Sequence, residues 1–319
     1  MGVISRFVTL MTKLYLVQSV RLLCLAAALA GPRIALSSET ALRWQRDEGS
    51  LALLSGTQTL WQLNFCKSEG KPYFHPLNLA DGTTLTALRP PDHPWHRGLW
   101  WSWKYINGVN YWEEDKKTGQ SRGLTELMNT EVDPAANFSA RVKMQILYHL
   151  PAQPPVLREA RLLDMSAPDA QGNYRIDWSS SFTSGTTDLI FDRTPPKNYS
   201  GGYAGLSCRL AAACRGWNFT GSDGVSGAME LYGRNESWMD VSHGGGIAIF
   251  DHPSNLRHPS CWYPNMQMPF FSPALLFQWP VTIGPGFTLT LRYRVLVHSA
   301  PLDRAALDAE WKRFAAGGS

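Results

Sequence analysis

The stretch TLTLRYRVLVH, residues 288–298, puts Leu289, Leu291, Tyr293, Val295 and Val297 on one side of an extended chain. Thr290, Arg292 and Arg294 fall on the other. Strict period-two alternation marks an antiparallel strand with one face on a core, because successive side chains of a strand point to opposite faces. Runs of the same kind occur at TLWQLNFC, ARVKMQILYHL, YRIDWSSSFTS and GGIAIF, separated by GKP, PAQPP, TPPK, GGG, HPSN and GPG. Such separators end strands, since Pro lacks an amide donor and Gly takes turn conformations. Helix is expected only in the tail, LDRAALDAEWKRFAA, where Asp303 can cap a turn and Leu307, Trp311 and Phe314 share a stripe. The pattern predicts an all-β protein, a large antiparallel β-sandwich with a short C-terminal helix. No fixed-period repeat or linker interrupts it, so residues 40–315 read as a single β-sandwich domain.

A hydrophobic share of 44% is enough for a packed core and excludes a disordered chain. Residues 1–30 carry Arg6, Lys13 and Arg21 with no acid, then the apolar run LLCLAAALA ending in small residues. That layout predicts a signal peptide over residues 1–30 and export to the periplasm or the exterior. The run is short of the ~20 apolar residues of a membrane helix, and no later segment approaches that length, so no membrane span is expected in the mature chain. Without the three basic residues of the leader, 27 of the 30 remain against 26 acids, a balance that gives nucleic-acid binding no support. Cys66, Cys208, Cys214 and Cys261 lack the paired spacing of a zinc site and read as buried thiols or one bridge.

The chemistry concentrates in RPPDHPWHRGLWWSWKYINGVNYWEED, residues 89–115. Asn107-Gly108 between aromatic and β-branched residues is a strong hairpin signal, a two-residue turn that needs positive φ twice. If the register runs outward from Ile106 and Val109, one face carries Trp101, Trp103, Trp112 and Glu114 together with Tyr105 and Asn110. The other pairs Ser102 with Glu113 and Lys104 with Tyr111. An aromatic wall with one carboxylate suits a sugar, because rings stack on the C–H faces of a pyranose and polar groups fix its hydroxyls. Each of these tryptophans taken singly also fits a core position.

Upstream, Pro91 and Pro94 bar regular structure, so His93, His96 and Arg97 sit on a stiff loop leading into the first hairpin strand. Asp-His-Pro recurs in FDHPSNLRHPSCWYPN, which supplies His252, Asn255, Arg257, His258 and Trp262. Sandwich loops gather at two ends, so the two corners are expected to converge on one site. Asp92 and Asp251 read as turn-formers bonding their own backbone. No cofactor is expected. A metal is a weaker alternative, through His93 and His96 with His252 or His258. PPKNYSGGYAGLSCRL lacks the setting of a phosphate cradle and reads as a turn whose Tyr203 can reach a ligand.

The segments DHPWHRGLWWSWKYINGVNYWEE, SGGYAGLSCRL, AIFDHPSNLRHPSCWY and FFSPALLF resemble the PmoA-like family of exported bacterial proteins, over about Leu42 to His298. Histidine is common in that pattern where Trp95 stands here, which weakens a three-histidine metal site. The resemblance implies a galactose-mutarotase-like supersandwich. In mutarotases two histidines and a late glutamate move protons at the anomeric centre. His93 or His96 would match the first histidine and His252 or His258 the second. Glu310, on the tail helix, is no convincing match for the glutamate. A methane oxygenase subunit, which the family label evokes, needs several membrane helices that this sequence lacks.

The function expected on these grounds is an exported carbohydrate-active enzyme of isomerase, hydrolase or lyase type. His93, His96, His252 and Glu114 would do the acid–base work, with burial beside tryptophan raising the carboxyl's pKa. Arg97, Trp101, Trp103, Trp112, Tyr203, Asn255, Arg257 and His258 would bind the sugar. A non-catalytic glycan-binding protein and a metal-dependent oxidase are the rival readings.

Overall fold

The structure, a computed structural model, describes residues 41–317; the expected signal peptide lies outside them. Two eight-stranded antiparallel sheets pack face to face. The first has the spatial order Leu42–Asp47, Ser50–Ser55, Gln58–Asn64, Tyr73–Leu77, Leu99–Ser102, Gly205–Arg209, Phe270–Pro273, Trp262–Asn265. The second runs Asn218–Gly221, Trp238–His243, Gly245–Asp251, Thr288–His298, Tyr174–Ser184, Leu157–Met165, Ala140–His149, Leu124–Pro134. A small third sheet joins Val281–Ile283, Leu189–Asp192 and the hairpin Tyr105–Ile106/Val109–Asn110. This is the antiparallel β-sandwich that the alternation predicts. Among the described residues no helix is long and apolar enough to cross a membrane.

The core between the sheets follows from side-chain parity. In Tyr174–Ser184 every second residue is buried, and Leu289, Leu291, Tyr293, Val295 and Val297 all point inward as expected. One charged pair shares that interior: Glu159 accepts from Arg161, from Tyr148 Oη at 2.6 Å and from Ser180 Oγ at 2.6 Å. The Arg161 guanidinium lies 4.6 Å over the Trp178 ring. Removing water from two charges is costly, and these extra bonds are what make the pair tolerable.

Parity also splits the middle of the first sheet. Phe74, Leu99, Trp101, Leu206, Cys208, Phe271 and Trp262 join the sandwich core. Their alternate neighbours Tyr73, Trp100, Phe270 and Tyr263 form a separate aromatic cluster on the outer face. The outer face of the second sheet is covered instead by the tail helix Arg304–Ala315, whose Leu307 and Phe314 pack on Trp238, Phe250 and Leu296. Asp303 caps that helix by accepting from Ala306 N at 2.8 Å, as its position predicts.

The Asn107-Gly108 hairpin forms with the expected register, Ile106 opposite Val109 and Tyr105 opposite Asn110, and both turn residues have positive φ. It ends sooner than the pattern implies. Asn110 Oδ1 accepts from Trp112 N at 2.7 Å and from Glu113 N at 3.1 Å, a local bend that competes with the ladder. The single wall of Trp101, Trp103, Trp112 and Glu114 is therefore not built. Trp101 lies 5.0 Å from Phe182 and Trp103 stacks at 4.1 Å on Phe191, both inside the sandwich core. Trp112 turns to the outer cluster. Glu113 ion-pairs with Lys104, the neighbour its face predicts.

Two outcomes follow. Trp103→Ala empties a core position, so it should lower the unfolding free energy by about 3–5 kcal/mol, read from the urea midpoint. A near-neutral effect would contradict its burial. The second concerns the sealed pair of His298 and Asp240. Burial pulls the imidazole down, but the Asp240 bond at 2.9 Å, that carboxylate's charge and the Ala300 carbonyl outweigh it and raise the pKa. A raised folded pKa gives stability that is whole below the unfolded value and is lost as pH rises through the folded one. The stability advantage of wild type over His298→Gln should shrink as pH climbs above about 6.5. A difference that stays flat with pH would mean an imidazole without charge.

Candidate functional site

The loop before Leu99–Ser102 brings an imidazole pair to the outer aromatic cluster. His93 and His96 stack with ring centroids 4.7 Å apart. His96 is buried between Trp100 at 5.1 Å and Phe270 at 5.4 Å, with Trp112 edge-on at 6.1 Å. His93 is partly open, its side chain 35% exposed, and its Nδ1 lies 3.1 Å from Asp92 Oδ2. Arg209, at the end of Gly205–Arg209, grips Asp92 with both oxygens at 2.8 and 2.9 Å and approaches His96 Nδ1 at 3.5 Å. Half-buried Trp95, Tyr203, Tyr232 and Phe277 rim the cluster. The indole N–H groups of Trp95 and Trp112 are buried without a protein acceptor.

These neighbours set the protonation states. Burial, then the nearby His93 and Arg209 charges, push His96 down to about 2, so it is a neutral imidazole at any ordinary pH. Burial would raise Asp92, but its contacts with Arg209 and His93 win and hold it at about 2, a carboxylate throughout. The arrangement is a partly open imidazole beside a fixed anion, with a neutral ring stacked behind it. His93 Nδ1 lies within ion-pair distance of Asp92 but has no hydrogen-bond partner among the described residues, and an imidazole carries a proton site on each nitrogen.

A second feature adjoins the first through Arg97 and Glu114. Glu114 ion-pairs with Arg97, with Arg89 at 3.1 Å and with Lys71 at 3.6 Å. Glu69 bonds Arg89 at 2.8 Å and lies 3.6 Å from Arg97 Nε. These five side chains line a cavity of about 230 Å³. Lys71, only 4% exposed, donates to Trp112 O at 3.1 Å and Ser121 Oγ at 2.9 Å. Burial and then the Arg97 charge draw its ammonium down to about 7.

The residues expected to form one site are therefore divided. His93, His96, Trp112 and Tyr203 meet in the outer cluster. Arg97 and Glu114 line the charged cavity. Trp101 and Trp103 are core. Glu114 is not the carboxyl beside an indole that the hairpin pattern predicts, since three cations surround it.

The second His-Pro loop does not join the first. It leaves Gly245–Asp251 of the second sheet, whose outer face points away from that of the first. His252 meets Phe314 at 5.0 Å and His258 stacks on Trp311 at 5.9 Å, both rings of the tail helix. Asp251, fully buried, accepts from Asn255 Nδ2 at 2.7 Å, Ser260 N at 2.8 Å and His258 Nδ1. Arg257 donates to the carbonyls of Leu275, Trp279 and Pro280. His252, Asn255, Arg257 and His258 thus fasten loops and helix, and among the described residues no hydrogen bond, ion pair or ring contact joins their loop to His93 or His96. Glu310 is held by Arg294 at 2.9 Å and by Arg313. Among the described residues no group of three or more His, Cys, Asp or Glu side chains is placed to hold a metal. Cys66, Cys208, Cys214 and Cys261 are all free thiols.

Four participants carried little signal in the sequence. Arg209 could have been placed by parity, two residues beyond Ser207 and opposite Leu206 and Cys208. Asp92 looked like a turn-former, and only the distant Arg209 shows its charge being held. Lys71 and Glu69 flank Gly70, far in sequence from Arg97 and Glu114, and nothing local links them.

A family model described as a family of unknown function (DUF6807) matches residues 50–312. No curated protein matches the chain. Among solved structures it is similar to an alpha-galactosidase from Lactobacillus brevis, at 8% identity and a TM-score of 0.41, over 81% of this chain and 39% of that one. The chain thus spans well under half of that enzyme's length.

The charged cluster can be tested for its structural weight. Glu114→Gln leaves the Arg97 charge, 2% exposed, without its main partner. Breaking one side of a buried pair should cost about 3–5 kcal/mol in unfolding free energy, seen as a lower thermal midpoint. A loss below about 1 kcal/mol would place the cluster with screened surface pairs.

Proposed function

The chain belongs to the DUF6807 family, a family of unknown function, and from that premise we propose that it is a carbohydrate-active protein whose outer-face histidine cluster binds a sugar and exchanges protons with it. The observation that carries this reading is His93: a partly open imidazole, 3.1 Å from an Asp92 carboxylate held by Arg209, at the edge of half-buried aromatic rings. Trp95 and Tyr203 offer ring faces for pyranose C–H groups. His93 acts as the acid or base, with the Asp92 carboxylate 3.1 Å from its Nδ1. His96, neutral and stacked behind, keeps the ring in place. Epimerisation, elimination and glycoside cleavage all use such a proton carrier. The PmoA-like resemblance of the His-Trp block and the exported location implied by residues 1–30 accord with a sugar of the cell exterior.

A second reading, a non-catalytic sugar-binding protein, is favoured by one observation. His96, the more central imidazole, is uncharged near neutrality and is sealed among rings. The two readings separate on one pair of variants. With a panel of oligosaccharides and keto-sugars assayed by mass spectrometry, His93→Asn should cut turnover by about 10²-fold or more with an unchanged thermal midpoint. Tyr203→Ala should weaken binding of the same sugar. Binding that survives His93→Asn with no turnover in the wild type would establish the second reading, and no sugar bound by the wild type would end both.

A further inference from the structure

We propose that Lys71 is a reactive amine that condenses with small carbonyl compounds entering the charged cavity. This site is separate from the His93 cluster and stands whether or not that cluster handles a sugar.

The geometry is that of a nucleophile set into a polar hollow. Lys71 lies in the wall of the cavity of about 230 Å³, among Glu69, Arg89, Arg97 and Glu114. Desolvation and a neighbouring cation are the two means by which a lysine is made nucleophilic near neutrality. Both act here and bring the amine to about 7. The surroundings accept either protonation state. The ammonium is met by the Trp112 carbonyl, Ser121 Oγ and Glu114 Oε1. In the neutral amine two N–H groups still reach the Trp112 carbonyl and Glu114. The Ser121 hydroxyl, which otherwise donates to Tyr111 O at 3.2 Å, can rotate and donate to the nitrogen lone pair. Releasing that one bond frees the lone pair.

The step balances within the cavity. Nζ attacks the carbonyl carbon, a C–N bond forms, and the carbonyl oxygen takes up a proton to give a carbinolamine. The C–O bond then breaks and the oxygen leaves as water, carrying the two hydrogens that the amine has lost. Glu114 Oε1, 3.6 Å from Nζ, is placed to accept a proton from nitrogen and return one to the leaving hydroxyl. Arg97 and Arg89 stabilise negative charge on the oxygen as it develops.

The test is reductive trapping on the intact protein. Glycolaldehyde with cyanoborohydride near neutral pH, followed by peptide mass spectrometry, should place a hydroxyethyl group on Lys71 on the order of tenfold faster than on exposed Lys116 and Lys117. The rate at Lys71 should level off above about 7, and unfolding the protein in urea should erase its advantage. A native Lys71 that stays unlabelled while Lys116 and Lys117 react would overturn the proposal. So would an advantage that persists in urea. Because the readout is on the wild-type chain, it does not depend on any variant folding.

Discussion

Leu99–Ser102 is buried on both of its faces, and that double burial organises the rest of the molecule. A strand sends alternate side chains to opposite sides. Leu99 and Trp101 therefore complete the sandwich interior, while Trp100 serves as the floor of a second cluster. Ser102 bonds the Tyr111 carbonyl, tying the hairpin back to the strand. The loop entering this strand carries His93, His96 and Arg97, and the segment just beyond the hairpin that follows it carries Trp112 and Glu114. Fixing one four-residue strand thus fixes both candidate sites.

The two sites also share a physical cost. Arg97, Glu114 and Lys71 are almost wholly removed from water, and each would be prohibitive alone. Together they compensate one another, but not evenly, because Lys71 faces the Arg97 charge as well as the Glu114 carboxylate. On the other side of Trp112, Asp92 and Arg209 pair near the surface and leave His96 to be neutral. One arrangement makes a lysine easier to deprotonate and the other makes a histidine harder to protonate. Both effects come from desolvation reinforced by a nearby like charge.

How much of this was readable beforehand varies by element. The strand Thr288–His298, the capped tail helix and the Asn107-Gly108 turn were legible because each rests on local chemistry: alternation, an N-cap, or a turn needing positive φ. The register of that hairpin was legible for its first pair of rungs only. Asn110 ends it by accepting from the amides of Trp112 and Glu113 through its side chain, a local competition that alternation does not register. His93 and His96 were placed near one another by their shared loop, whereas Tyr203 was read only as a ring on a turn able to reach a ligand. The expected meeting with His252 and His258 failed because the two loops grow from different sheets, which no spacing in the chain encodes.

By itself the sequence determined the class of fold and the faces of its long strands, since backbone periodicity and turn chemistry act over a few residues. It also determined that imidazoles, indoles and carboxylates would crowd into residues 89–115. Only the tertiary structure decided which of those groups meet. Trp101 and Trp103 went to the interior, Glu114 to three cations, and the second histidine loop to the tail helix. The reason is that contacts between strands far apart in the chain depend on sheet order and on which outer face an element covers. Lys71 and Arg209 acquire their partners in that step, from segments about forty and more than a hundred residues away in sequence.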